Sequence, residues 1–339
     1  MRHNLTYLAL LLTVVFVSCR REFWPETGDA IRFSVAAATD ISAGTKADIP
    51  TSITTPPHDE DYLIAENNQI NIWGFKEGSG IYTSNPITAT CNSSNTWECS
   101  EIQYWTREGA YKFHAVFPTG KANNTATSAN QLVVNYSMMS EQYDLMVASA
   151  AVTAAPPKDN SVTLPFYHAC SAVRFYICTE SGDYTLRTFE LKNLFTQGKL
   201  AYAGTSSAVT LDEWSYVGAD DNPVTRTESA FPWAGNWTIP TDWNASLPTD
   251  FTALSDWLYF VPQALEGSQA AIHFTFEVNS QATPRQELDV LLSLESFNNT
   301  AVTWAPGKLY AYYIKVKTTA IDLDVHWTDW AAEQTFDLN

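Results

Sequence analysis

Apolar residues return at every second position in one segment after another: Ile31, Phe33 and Val35; Ile70 and Ile72, with Gly74 next in step; Tyr111, Phe113 and Ala115; Val173, Phe175 and Ile177; Tyr310, Tyr312, Ile314 and Val316. A period of two sends alternate side chains to opposite faces of a pleated chain. Each segment therefore predicts a strand with one face on a core and the other in water. Turn-rich stretches separate the strands at Glu77 to Gly80, Gly120 to Asn124 and Glu180 to Asp183. Helical periodicity is scarce, with one short helix expected around Ser140 to Tyr143. The fold class is all-β.

Ala154 to Asn160 carries Pro156 and Pro157 among polar residues, a stiff and poorly pairing stretch, and marks the expected boundary between two sandwiches. The N-terminal one covers 31–158 and the C-terminal one 159–339, with a loop-rich insert at 203–250. No short-period internal repeat is present.

At the N-terminus, Arg2 precedes an apolar run from Leu8 to Val17, broken only by Thr13 and followed by Ser18 and Cys19. The run is too short to cross hydrocarbon, which takes about 20 residues, so 1–18 reads as an export signal. A small residue directly before Cys19 resembles a bacterial lipobox, in which the cysteine becomes the acylated N-terminus and 19–30 a lipidated linker. More than one acyl chain makes such anchoring stable.

Composition narrows the partners. The 339 residues are 45% apolar and 13% aromatic, ample for packed cores, while 37 acids against 19 bases give a net charge of −18. That charge repels phosphate backbones and excludes nucleic acid as a partner. Catalytic signatures are lacking too. The histidines at 3, 58, 114, 168, 273 and 326 show no His-x-x-x-His pair, and there is no Gly-x-Ser-x-Gly elbow, dinucleotide fingerprint or phosphate loop. The chain is not expected to be an enzyme or to carry a cofactor or metal. His114 and His168 read as hydrogen-bonded framework residues, and Asp59 to Asp61 and Asp220 to Asp221 as solvated acids rather than a calcium site.

Besides Cys19, four cysteines remain. Cys91 and Cys99 flank a polar turn, and a hairpin there permits a disulfide at the usual Cα separation of about 5.5 Å. Cys170 and Cys178 end a single strand and are expected to be buried free thiols. None has zinc-site spacing.

A set of segments in order along the exported chain resembles the fimbrillin superfamily, the FimA/Mfa-like subunits and associated lipoproteins of type V pili. They are Trp97 with Tyr104-Trp105; Tyr111 to Pro118; Tyr143 to Met146; Val162 to His168; Ser171 to Phe175; Tyr259 to Gln263; and Trp304 to Tyr310. The resemblance implies two transthyretin-like β-sandwich domains in tandem and delivery to the outer membrane as a lipoprotein. It further implies proteolysis that removes the first strand, and donor-strand exchange with other pilin subunits in a fimbrium that serves adhesion or biofilm formation. Ile31, Phe33 and Val35 are then the removable strand, and Asp40 to Thr55 the protease-accessible stretch, with cleavage expected between Lys46 and Ala47. A lysine stands where the best-known pilins are cut at arginine, so a trypsin-like or lysine-tolerant protease is required. Cleavage at Arg20 or Arg21 would free the lipid and leave the strand.

Ile321, Leu323, Val325 and Trp327 alternate and are the candidate donor strand, although the same pattern equally suits the last strand of the second sandwich. A rival reading is a surface lipoprotein that never polymerises and binds a glycan or host protein, with Trp214, Trp233, Trp237 and Trp243 stacking on sugar rings.

Overall fold

The computed structural model describes residues 29–37, 62–106, 109–120, 123–124, 127–139, 142–153, 160–179, 184–205, 208–218, 220–239, 252–278, 286–297, 299–316 and 321–329. The longer strands are β1 (Arg32–Ala37), β2 (Gln69–Lys76), β3 (Ile87–Cys91), β4 (Tyr111–Phe117), β5 (Leu132–Ser137), β6 (Met146–Val152), β7 (Ser161–His168) and β8 (Ser171–Thr179). They continue as β9 (Tyr184–Lys192), β10 (Gln197–Tyr202), β11 (Ala230–Thr238), β12 (Ala271–Val278), β13 (Gln286–Ser293), β14 (Lys308–Val316) and β15 (Ile321–Asp329). Among the described residues the one helical element is a 3-10 turn at Leu211–Glu213.

The helix expected around Ser140 to Tyr143 is not formed at Gln142 and Tyr143; Ser140 and Glu141 lie outside the described residues. Tertiary contacts hold this connection irregular. The Tyr143 ring packs 5.0 Å from that of Tyr136. The Gln142 amide donates to the Met138 carbonyl at 2.9 Å and accepts the Tyr259 N–H at 2.7 Å.

The first sheet runs β1-β7-β6-β4-β2-β3 and ends on the short strand Trp97–Cys99. Its pairs are antiparallel except β1 with β7, which is parallel. A tight hairpin returns β2 to Ser79–Gly80, with positive φ at both Glu77 and Gly78, as a two-residue primed turn requires. This sheet buries both faces. Ile70, Ile72, Phe113, Ala115, Met146 and Ala148 fill one cluster with β1, whereas Trp73, Phe75, Val116 and Val147 join the large core shared with the second half. Gly74 is needed for space, since a Cβ there would meet the Tyr82 ring at 2.6 Å.

Two further sheets, β11-β9-β12-β13 and Thr252–Ala253-β8-β14-β15, face each other across that shared core. Phe175 on β8 meets Phe189 on β9 at 5.5 Å and stacks on Tyr312 of β14 at 5.2 Å. A fourth sheet pairs β5 from the first half with β10 from the second, flanked by Asn123–Asn124 and Trp214–Ser215. The Tyr136 hydroxyl on β5 donates to the Tyr259 carbonyl at 2.9 Å and ties the halves.

The strand pairing bears on two organisational expectations. Strands β6 and β7 are antiparallel neighbours, so 154–160 joins strands of one sheet, and the chain leaves that sheet only after His168. Prolines suit a hairpin connection as well as a linker. Within the loop-rich 203–250 stretch the structure places β11, an edge of the four-stranded sheet. Register shifts along the β9 pairing break the alternation that would have revealed it.

Candidate functional site

The site is the slot that β1 occupies. Alternation along 31–35 turns Ile31, Phe33 and Val35 inward, with 5%, 6% and 4% of their surfaces exposed, while Arg32 is exposed and Ser34 half-buried. Burying three such side chains contributes roughly 5–9 kcal/mol at about 1.5–3 kcal/mol each. That is comparable with the net stability of a whole domain, about 5–15 kcal/mol. A domain that loses β1 therefore needs a replacement.

Two backbones border the strand, unequally. β7 accompanies it along its length, from Arg32 opposite Ser161 to Ala37 opposite Phe166. On the other side the segment after Trp97–Cys99 covers only the start: Ala30 bridges Tyr104, the Ile31 N–H donates to the Gln103 carbonyl at 2.8 Å, and the Trp105 N–H donates to the Asp29 carbonyl at 3.0 Å. The two ends of the first sheet thus meet at β1. Asn160 seals the same end, its carbonyl accepting the Arg32 N–H at 3.1 Å and the Trp105 indole N–H at 3.2 Å.

The bordering segment is itself held in place. The Glu101 carboxylate accepts the Thr83 N–H at 2.9 Å, the Thr83 hydroxyl at 2.7 Å and the Ser84 N–H at 3.1 Å, and these bonds hold its pKa down at about 2. Inside the slot, Phe33 meets Phe113 edge-on at 5.2 Å, and Trp105 and Tyr111 extend the ring cluster. After 38–61 the chain re-enters the same core at Leu63 and Ile64.

Ile31, Phe33 and Val35 are the predicted site residues that the structure gathers into one feature. Cys19, Lys46, Ala47, Asp59 to Asp61 and Trp243 lie outside the described residues. Cys91 and Cys99 are free, so the expected disulfide is corrected. The hairpin forms, but its register sets Cys91 opposite Trp97 and Cys99 opposite Ala89. A diagonal pair of this kind is separated by about 7–8 Å, too far to bridge. The Cys91 thiol instead points at the Ile64 carbonyl at 3.1 Å, and burial pushes the Cys99 thiol up to about 11. Cys170 and Cys178 are buried, and neither is in a disulfide.

Trp214 is 5% exposed and its indole N–H donates to the Ala169 carbonyl at 3.1 Å, so it is a framework residue and not a stacking platform. Trp233 and Trp237 lie in β11, opposite Phe189 and Leu186. Ile321, Leu323, Val325 and Trp327 lie in β15, opposite Val316, Ile314, Tyr312 and Tyr310 of β14. His168 bonds Asp144 at 2.8 Å, and the buried His114 contacts the Ala129 carbonyl at 3.4 Å. Asp221 pairs with Lys199, and Asp220 accepts the Asn222 N–H at 3.3 Å.

The alternation predicts Tyr111 and Phe113 as core-facing strand positions, but it does not mark Trp105, Gln103 or Asn160 as bordering the slot. The density of rings between 105 and 113 was the available signal. Gln103 and Asn160 act through backbone carbonyls, which leave none.

The first described strand of this all-β chain completes its sheet by pairing with a strand remote in sequence. The model of the fimbrillin-like family matches residues 45–330, and the chain belongs to that family. Among solved structures it is similar to a fimbrial protein from Bacteroides vulgatus, with 14% identity, TM-score 0.58, and coverage of 89% of this chain and 99% of that one. It is also similar to a candidate cell adhesion protein from Parabacteroides distasonis, with 10% identity, TM-score 0.51, and coverage of 90% and 99%. At these identities the likeness is one of fold. No curated protein matches the chain. Among the described residues no helix is long and apolar enough to cross a membrane.

Proposed function

We propose that the chain is a pilus subunit, exported as an outer-membrane lipoprotein through Cys19 and assembled by strand exchange after cleavage between Lys46 and Ala47. Its partners are other pilin subunits, and the assembled surface fibre supports adhesion. The observation that carries this reading is the placement of β1. Three buried knobs sit on a strand whose only described covalent continuation, from Tyr62 onward, lies beyond 38–61. One cut in that interval converts the plug into a separate peptide. The same slot then offers an incoming strand both apolar pockets and unpaired ladder groups.

As donor, 321–329 is disfavoured on physical grounds, since its nine-residue pairing with β14 would have to be given up. We read it as the last strand of its own sandwich, which leaves 330–339 or another subunit as the source.

Limited digestion of the exported chain with a lysine-specific protease, followed by N-terminal sequencing and sizing, tests the reading. A new N-terminus at Ala47 together with oligomers is expected. An intact monomer, or a cut monomer that never exchanges β1, would overturn it.

A further inference from the structure

The slot does not treat its three knobs alike. Ile31 and Val35 are aliphatic members of the same buried cluster, and the packing of such side chains is non-directional and tolerates exchange among others of similar volume. Phe33 instead enters a wall of rings. Its ring lies 5.2 Å from that of Phe113 at 78°, Trp105 approaches Phe113 at 6.3 Å and 82°, and Trp105 meets Tyr111 at 4.9 Å and 77°. Tyr111 and Phe113 stack in parallel at 6.1 Å, so the edge presented by Phe33 completes an alternation of edges and faces.

The wall is also fixed from behind. The Trp105 indole N–H is bound to the Asn160 carbonyl at 3.2 Å. The Tyr111 hydroxyl accepts the Thr106 N–H at 3.1 Å and bonds the Thr106 hydroxyl at 2.7 Å. Both polar groups are satisfied away from Phe33, and the rings cannot turn aside without losing those bonds. A wall so anchored keeps its shape around whatever knob arrives.

We infer that the slot reads an incoming strand chiefly at one position, that of Phe33, and that it takes there an aromatic ring. The partner is thus an extended peptide patterned aliphatic, any residue, aromatic, any residue, aliphatic. Phe113 is the residue that sets the preference, with Trp105 and Tyr111 holding it. This inference rests on the exchange reading above and adds to it the identity of the acceptable partner.

The test uses the full exported chain, cut with a lysine-specific protease and incubated with a labelled peptide of sequence 29–37. Competing unlabelled peptides carry one change each. The Phe33→Leu peptide should compete about tenfold more weakly than the native one, the equivalent of an aromatic pair worth about 1.4 kcal/mol. Ile31→Leu and Val35→Ile should stay within about threefold. In chain carrying Phe113→Leu, the tenfold penalty should shrink to about threefold or less.

Equal competition by Phe33→Leu and the native peptide, or a penalty untouched by Phe113→Leu, would overturn the inference while leaving exchange itself intact. Failure of the native peptide to exchange at all would instead count against the exchange reading. The same pair of substitutions in the uncut chain, followed by urea unfolding, then decides the inference alone: it demands that Phe33→Leu cost less stability when Phe113 is already Leu, and additive losses would refute it.

Discussion

Among the described residues the first and the last strand are both edge strands, and the two are built in opposite ways. β15 is the antiparallel neighbour of β14 and is reached through residues 317–320 alone. β1 is parallel to β7, and its Ser34 hydroxyl bonds that of Thr163 across 129 positions of sequence. A local hairpin closes at small entropic cost, whereas the β1 contacts close a loop of well over a hundred residues at a larger one. A strand held by such contacts depends little on its covalent neighbours once docked. What holds it is burial and the two backbones at its start, so a cut in 38–61 changes its connectivity and leaves every contact described for it in place. A strand built like β15 has no such separation between being held and being attached.

The sharpest way to break this contrast is to remove a contact from the non-local strand. Phe33→Ala should destabilise the protein by about 3–5 kcal/mol, the cost of emptying a buried phenylalanine site. Urea unfolding of the uncut chain measures it. A loss below about 1 kcal/mol would mean that the slot collapses or is filled without β1, and the argument that a replacement strand is needed would fail.

A buried titratable group in the same sheet gives the next effect. His114 lies on β4 with none of its surface exposed, and burial holds its pKa down at about 4 against 6.5. Its Nε2 faces the Ala129 carbonyl, its Nδ1 has no hydrogen-bond partner among the described residues, and Lys112 adds a repulsive charge, which together with burial outweighs the backbone bonds at Ala129 and Ser128. Between pH 6.5 and 4 the unfolded chain therefore binds the proton that the folded one refuses. Stability must fall with falling pH across that window, by an amount on the order of 3 kcal/mol. His114→Gln should flatten the slope in urea unfolding measured from pH 4 to 7, whatever it does to stability at neutrality. An unchanged slope would assign the acid sensitivity elsewhere.

Such differences also explain what could be read from the sequence. Ile31, Phe33 and Val35 alternate because one face of β1 is buried, and Tyr310, Tyr312, Ile314 and Val316 are likewise in the core, although Ala311 and Tyr313 on the other face of β14 are buried as well. The period of two is a property of the strand itself and survives in the text of the chain. Register and partner are properties of pairs. The Cys91 to Cys99 hairpin was legible, but the two-residue offset that keeps its thiols apart was not. The pairing of β5 with β10, which ties the two halves, joins segments with no mutual mark in sequence. β11 was hidden by its bulges, and the clamp on β1 is made largely of carbonyls, at Gln103, Asn160 and Asp29.

That clamp yields a smaller effect. Trp105→Phe keeps a ring against Tyr111 and Phe113 but removes the donor to Asn160, and should cost about 1 kcal/mol from the hydrogen bond. The loss should be local. Hydrogen exchange at Ile31 and Arg32, slow because both sides of the strand are paired there, should accelerate more than at Val35 to Ala37, where only β7 is paired among the described residues. Uniform acceleration along β1 would mean that the strand opens as one piece and has no protected end.

The smallest effect comes from the outer face of the second half and carries the opposite sign to His114. His273 on β12 bonds the Glu190 carboxylate at 2.6 Å and also pairs with Asp289 of β13, while Lys192 engages Glu190. The Glu190 bond, with Asp289 in support, raises the imidazole pKa above its ordinary value. A raised folded value means that the pairing stabilises the protonated ring. Its contribution is present in full below about pH 6.5 and is lost as pH climbs through the folded value. Because the side chains are partly in water and screened by salt, the loss should be well under 1 kcal/mol and should shrink further at high ionic strength. Unfolding between pH 6 and 8.5 should show a shallow decline that His273→Gln abolishes and that His114→Gln leaves in place. The acid-sensitive group sits where the non-local sheet packs on both faces, and the alkali-sensitive one on a solvated strand face. If both slopes were to vanish with a single substitution, the two halves would not be separable by charge.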